Sequence, residues 1–235
     1  MRQRFRESGI SQNLFISMNN HQIISNTIAF VKETLQDAEG GHDWFHIERV
    51  WKNAKLIATT EPDADLFVVE LGALLHDIAD SKFHDGDEAV GPRLAREFLA
   101  QQQVAPAIID HVENIIKHIS FKGGNQKQTF ISKELDIIQD ADRLDALGAI
   151  GIARTFNYGG FKNRTLYDPA IAPDLNMTVA QYKKSTAPTI NHFYEKLLLL
   201  KDRMNTQTGK ELATKRHDFM LTFLDQFYAE WNGTK

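Results

Sequence analysis

The stretch LGALLHDIAD, Leu71–Asp80, places two ionisable residues, His76 and Asp77, directly behind an apolar run. Leu71, Leu74, Leu75 and Ile78 recur at helical spacing, so the segment reads as a buried helix with His76 and Asp77 in its middle. Burying an imidazole or a carboxylate is unfavourable unless the group is paired or bound to a metal. Neighbouring helix residues diverge by about 100°, so both can turn inward only at the rim of one stripe. That arrangement suits two ligands approaching one ion from adjacent directions, and it sends the search for further ligands outward along the chain.

Upstream lies GHDWFHIERV, Gly41–Val50, with His42 and His46 four residues apart. Two histidines at i and i+4 share a helix face, as in the zinc-protease pattern H-E-x-x-H, but that chemistry needs Glu directly after the first His as general base. Here the shorter Asp43 stands in its place. His42 reads better as a helix-start residue, with Asp43 favoured by the positive end of the helix dipole. Downstream, IIQDADRLDALG, Ile137–Gly148, sets Ile138, Asp142, Asp145 and Ala149 on one helix face, so Asp142 can sit inside a bundle. His46, His76, Asp77 and Asp142 together make a mixed imidazole and carboxylate set that suits Mn²⁺, Fe²⁺, Co²⁺, Ni²⁺ or Zn²⁺.

Composition bounds the rest. At 235 residues and 42% hydrophobic, the chain can bury one sizeable core, and a single domain over 18–235 is expected, with residues 1–17 an extension or loosely ordered arm. With no cysteine, disulfide and thiolate chemistry are excluded, and any metal must be held by His, Asp or Glu. The net charge of −4 argues against a broad nucleic-acid footprint. The longest apolar run, Leu197–Leu200, is far short of the roughly 20 residues a membrane span needs. We therefore expect a cytoplasmic protein with no nucleic-acid or membrane partner; a homodimer is left open.

Helical periodicity dominates, which predicts an all-α bundle. Helices are expected over about Asn20–Asp37, His42–Thr59, a third opened by Asp63 or Asp65, Glu88–Gln102, and Pro106 to His118. One helix should then run from Ser132 through Phe156, with Gly148 and Gly151 marking close contacts. The stretch Asn157–Thr178 reads as a long irregular loop. Two final helices are expected, Val179–Met204 with a break near Pro188 and Lys210–Trp231. The aromatics Trp44, Phe45, Trp51, Phe156 and Tyr158 are assigned to the core by default.

The order of these motifs, a lone His, then His-Asp, then a distal Asp on separate helices, resembles the HD-domain metal-dependent phosphohydrolase superfamily. The likeness spans Gly41–Phe156, and the wording DWFHIERV and DADRLDALGAIGIART is similar to the small bacterial YpgQ and YedJ group of HD hydrolases. This resemblance implies an HD-domain helical bundle, with His46, His76, Asp77 and Asp142 as ligands of a divalent metal, Mn²⁺ foremost and Mg²⁺ as a further fit. It also implies hydrolysis of a small-molecule nucleotide substrate, a (deoxy)nucleoside triphosphate, to monophosphate and pyrophosphate. Related HD hydrolases place an acid where Asp80 stands, which makes Asp80 the candidate for orienting water or moving its proton, with His118 as a second proton-handling candidate. Lys82, Lys122, Arg143 and Arg154 flank the motifs and are suited to phosphate contacts, and Asp145 is carried as a substrate contact or a helix-pairing acid. The alternatives are a phosphodiesterase or phosphomonoesterase acting on another nucleotide, and a nucleotide-binding metal sensor without catalysis.

Overall fold

The computed structural model describes residues 19–36, 43–79, 87–119 and 129–235, and among them the chain is helical with no strand. Helix α1 covers 19–34. It is followed by α2 (Trp44–Ala58), α3 (Leu66–Leu75), α4 (Val90–Gln101), α5 (Pro106–Ile119), α6 (Lys133–Asp145) and α7 (Gly148–Phe161). The short α8 (Val179–Lys184) and α9 (Asn191–Glu195) lead through a 3-10 turn at Leu197–Arg203 into the long α10 (Gln207–Trp231). Residues 1–17, expected as an arm, lie outside the described residues.

Local chemistry starts these helices. Asp43 caps α2, its side chain accepting from the His46 amide at 3.0 Å. Asp65, not Asp63, caps α3 by accepting from the amides of Phe67 and Val68. Ser132 caps α6 through the Leu135 amide. α2 packs on α6 and α3, and α3 also packs on α5 and α6, so α3 is held between three helices. Its Leu71, Leu74 and Leu75 are fully buried, each stabilising the fold by about 1.5–3 kcal/mol through apolar burial. Gly72 makes the α3–α6 approach close: a Cβ there would stand 2.6 Å from Ile138 Cδ1.

Four expectations are corrected. His76 and Asp77 are not mid-helix, because α3 ends at Leu75 and His76 is its C-cap. At a helix end both side chains can reach one locus without sharing a stripe. The single helix expected from Ser132 to Phe156 is two, separated at Ala146–Leu147, where Gly148 takes φ +70. That left-handed backbone is open to glycine at little steric penalty, and an L side chain there would also press on Arg216. The loop expected from Asn157 starts later, since α7 continues to Phe161. Of the aromatics assigned to the core, Trp44, Trp51 and Phe156 pack against it, whereas Phe45 is 62% exposed and Tyr158 44%.

Candidate metal centre

Three helices deliver the ionisable side chains. α2 carries His46 one turn inside its Asp43 cap, the end of α3 carries His76 and Asp77, and α6 carries Asp142 in its last turn. His46 and His76 are nearly sealed from solvent, with side chains 3% and 4% exposed, and Asp142 is open at 40%. The two imidazoles meet edge to face, with centroids 5.4 Å apart.

The tautomers follow from the outer partners. His46 Nδ1 lies 2.7 Å from Asp145 Oδ2, and an ionised carboxylate can only accept, so Nδ1 carries the hydrogen and Nε2 presents a lone pair. His76 Nδ1 donates in the same way to the Ala73 carbonyl at 2.8 Å. Its Nε2 is buried and has no hydrogen-bond partner among the described residues, a costly arrangement for a polar atom. Asp142 Oδ1 stands 3.6 Å from His46 Nε2 and 3.9 Å from His76 Nε2, too long for hydrogen bonds. Two donors each about 2.1 Å from a shared ion are separated by no more than about 4.2 Å, and both distances fall inside that span. A carboxylate oxygen of Asp77 completes a group with the two imidazoles whose ligand atoms all lie within 4.8 Å of one another. The donor chemistry and the orphaned Nε2 therefore fit a divalent cation.

Behind the histidine stands Asp145. It is 1% exposed, and besides His46 it accepts from Arg49 Nε and Nη2 at 2.6 and 3.0 Å and from Arg154 Nη1 at 2.6 Å. Burial opposes its ionisation, but the hydrogen bonds from His46 and Arg49 outweigh that and hold its carboxyl far below the usual carboxylate range. The expectation that Asp145 touches substrate therefore meets a sealed carboxylate already surrounded by donors. Arg143, carried as a phosphate contact, turns the other way. It binds the Arg203 carbonyl at 2.7 Å, Asp140 and Gln139, and burial lowers its pKa. Arg154 lies against Asp145 with its side chain 25% exposed. The His118 ring is engaged by the Asn114 carbonyl through Nδ1 and by Thr129 Oγ1 through Nε2. Asp80, Lys82 and Lys122 lie outside the described residues.

Arg49 was not among the sequence candidates. Its signal was present in HIERV, where Arg49 follows His46 by three residues on the same helix face. Without knowledge of Asp145 as its partner, an arginine at that spacing looks like any solvated helix residue.

A family model described as HD domain matches residues 44–147, a segment that encloses His46, His76, Asp77, Asp142 and Asp145. The uncharacterized protein YpgQ of Bacillus subtilis (strain 168) is 41% identical over 209 residues, 87% of this chain and 91% of that protein. An HD-superfamily hydrolase from Bacillus thuringiensis superposes with a TM-score of 0.73 at 43% identity, over 91% of this chain and 98% of that one. The crystal structure of B. subtilis YpgQ in complex with ADP superposes with a TM-score of 0.72 at 34% identity by structure, over 90% and 96%. With a relative this similar along nearly its whole length and the matched segment built around these histidines and aspartates, the chain belongs to the HD superfamily of hydrolases.

Proposed function

We propose that the protein is a metal-dependent nucleotide pyrophosphohydrolase that cleaves (deoxy)nucleoside triphosphates to the monophosphate and pyrophosphate. The observation that carries this reading is the convergence of the His46 and His76 Nε2 atoms and the Asp142 oxygen, with His76 Nε2 buried and unpartnered among the described residues. The ADP in the B. subtilis YpgQ crystal supports a nucleotide as the ligand class. His46, His76, Asp77 and Asp142 would hold the cation, and Mn²⁺ leads a set that also includes Mg²⁺, Fe²⁺, Co²⁺, Ni²⁺ and Zn²⁺. When bound, the cation supplies a Lewis acid that polarises a phosphoryl oxygen and makes an adjacent water more acidic.

The chain's own groups do the remaining work. Asp145 keeps the hydrogen of His46 on Nδ1 and so aims the Nε2 lone pair inward. The Ala73 carbonyl does the same for His76. Asp142, open to solvent on one side, leaves an entry for substrate. Asp80, three residues after Asp77, is assigned the proton of the attacking water. His118, with each ring nitrogen already in a hydrogen bond, serves as a proton-handling group only if it first leaves the Thr129 hydroxyl. The reading includes a cytoplasmic location, where nucleoside triphosphates are abundant.

The test is a nucleotide panel incubated with Mn²⁺-loaded protein, with phosphate and pyrophosphate quantified separately. Pyrophosphate with monophosphate supports the reading. Free phosphate would replace it with a phosphomonoesterase, and binding without turnover would make the protein a sensor. Asp77→Ala should lose Mn²⁺ retention and turnover together, and full activity in that variant refutes the ligand assignment.

A further inference from the structure

We propose that Arg49 is a phosphate-binding residue of this site, a fixed guanidinium that takes the charge of the polyphosphate beside the cation; the inference rests on the nucleotide reading above and deepens it. Two facing pairs connect α2 to α6. His46 and Asp142 form one, at 3.6 Å, and Arg49 and Asp145 form the next, at 2.6 Å. Within each helix the members are three residues apart, a rise of about 4.5 Å between their backbones, so the two pairs are neighbours along the α2–α6 seam.

Anchoring separates Arg49 from an ordinary surface cation. Its Nε and Nη2 grip both oxygens of a carboxylate that is 1% exposed, yet its own side chain is 31% exposed. One edge is therefore locked inside, and Nη1 has no hydrogen-bond partner among the described residues. A guanidinium fork held in this way has little rotamer entropy left to lose on meeting phosphate, and planar donors match phosphate oxygens well. Neutralising Asp145 does not by itself require Arg49, because Arg154 also binds that carboxylate at 2.6 Å. Arg49 can therefore offer its outer edge to an anion while Asp145 stays paired. Arg143 shows the alternative design, with its donors consumed by a backbone carbonyl and by Asp140 and Gln139.

The experiment measures binding of inorganic pyrophosphate to the full-length, Mn²⁺-loaded protein by calorimetry, alongside Mn²⁺ affinity and nucleotide KM, for the native chain, Arg49→Ala and Arg49→Lys. Loss of a charged hydrogen-bond donor should weaken pyrophosphate binding and raise KM by about 10- to 100-fold. Mn²⁺ affinity should stay within about threefold, since Asp145 and its bond to His46 remain. Arg49→Lys keeps the charge beside Asp145 and carries the test if the alanine variant does not fold; its loss should be smaller but in the same direction. Unchanged pyrophosphate binding and KM overturn the inference. So does a fall in Mn²⁺ affinity that tracks the fall in pyrophosphate affinity, which would mean that Arg49 acts only through Asp145 on His46. A native chain that binds no pyrophosphate overturns it as well. Because binding is read without turnover, pyrophosphate held through Arg49 by a protein that hydrolyses no nucleotide would refute the proposed reaction and leave this inference standing.

Discussion

Asp140 and Asp145 lie on the same helix, α6, and are sealed almost equally, at 0% and 1% exposure, yet their surroundings differ in kind. Asp140 faces the start of α10, where it accepts from the backbone amides of Asn205 and Thr206, from the Thr206 hydroxyl and from Arg143. Every one of those donors is tied to holding a turn in place. Asp145 faces α2 and α7, and one of its donors is an imidazole whose opposite nitrogen looks at Asp142 and His76. Buried negative charge therefore marks neither structure nor chemistry on its own. What separates the two regions is whether the far side of the partner faces other side chains that could bind a metal.

The hardest blow to this contrast should come from Asp140→Ala. It removes the acceptor from the amides of Asn205 and the buried Thr206, from the Thr206 hydroxyl and from Arg143, and should lower stability by about 3–5 kcal/mol, read from urea denaturation, while the fraction that stays folded keeps its Mn²⁺ affinity. Loss of Mn²⁺ binding by the folded protein would erase the distinction between the two acids.

Asp145→Asn keeps the shape but removes the charge that holds His46 Nδ1–H. Mn²⁺ affinity should fall by about 10- to 100-fold, followed by electron paramagnetic resonance of the free ion, with a smaller change in the unfolding midpoint than for Asp140→Ala. A variant that binds Mn²⁺ as the native chain does would show that Asp145 is a second structural acid.

A third, partly buried group sharpens the comparison because the charges that act on it, Lys196 and Arg164, are both positive. His192 on α9 shares a hydrogen bond with the Tyr182 hydroxyl through Nδ1 at 2.7 Å, and burial, aided by the charges of Lys196 and Arg164, pushes its pKa down from 6.5 to about 3. The unfolded chain takes up this proton below 6.5 and the folded chain does not, so stability from this residue falls as pH drops through the window from 6.5 to 3. Going from pH 7 to pH 5.5 should remove about 1 kcal/mol, and His192→Gln should flatten that slope in a denaturation series. An equal slope in both proteins would mean that the ring is already charged when folded.

Much of the site was legible in the linear pattern because its members carry strong local signatures. A His-Asp pair behind Leu71, Leu74 and Leu75 cannot be explained as an ordinary core segment, and Asp142 follows Ile138 at helical spacing. The helix starts were equally readable, since a cap such as Asp65 or Ser132 works through amides two or three residues away. Less visible was the end of α3 at Leu75 and the break at Gly148, because helical continuity depends on what packs outside the segment, here Arg216 against Gly148 and its bond to the Leu144 carbonyl.

Residue chemistry and short-range periodicity were enough to name an all-α chain and to flag His76, Asp77 and Asp142 as candidates, each from its own local pattern, while the resemblance to the HD superfamily joined them with His46 into one proposed ligand set. Tertiary structure decided which of the remaining charges matter. Asp145, Arg143 and Arg154 sit within twelve residues of one another, and Arg49 lies 96 residues from Asp145. Only the packing of α2, α6 and α7 determines that Arg143 turns to the turn before α10 while Arg49 and Arg154 close on the acid behind His46. The physical reason is that a charge acts through its partners, and partners across helices are set by packing in three dimensions.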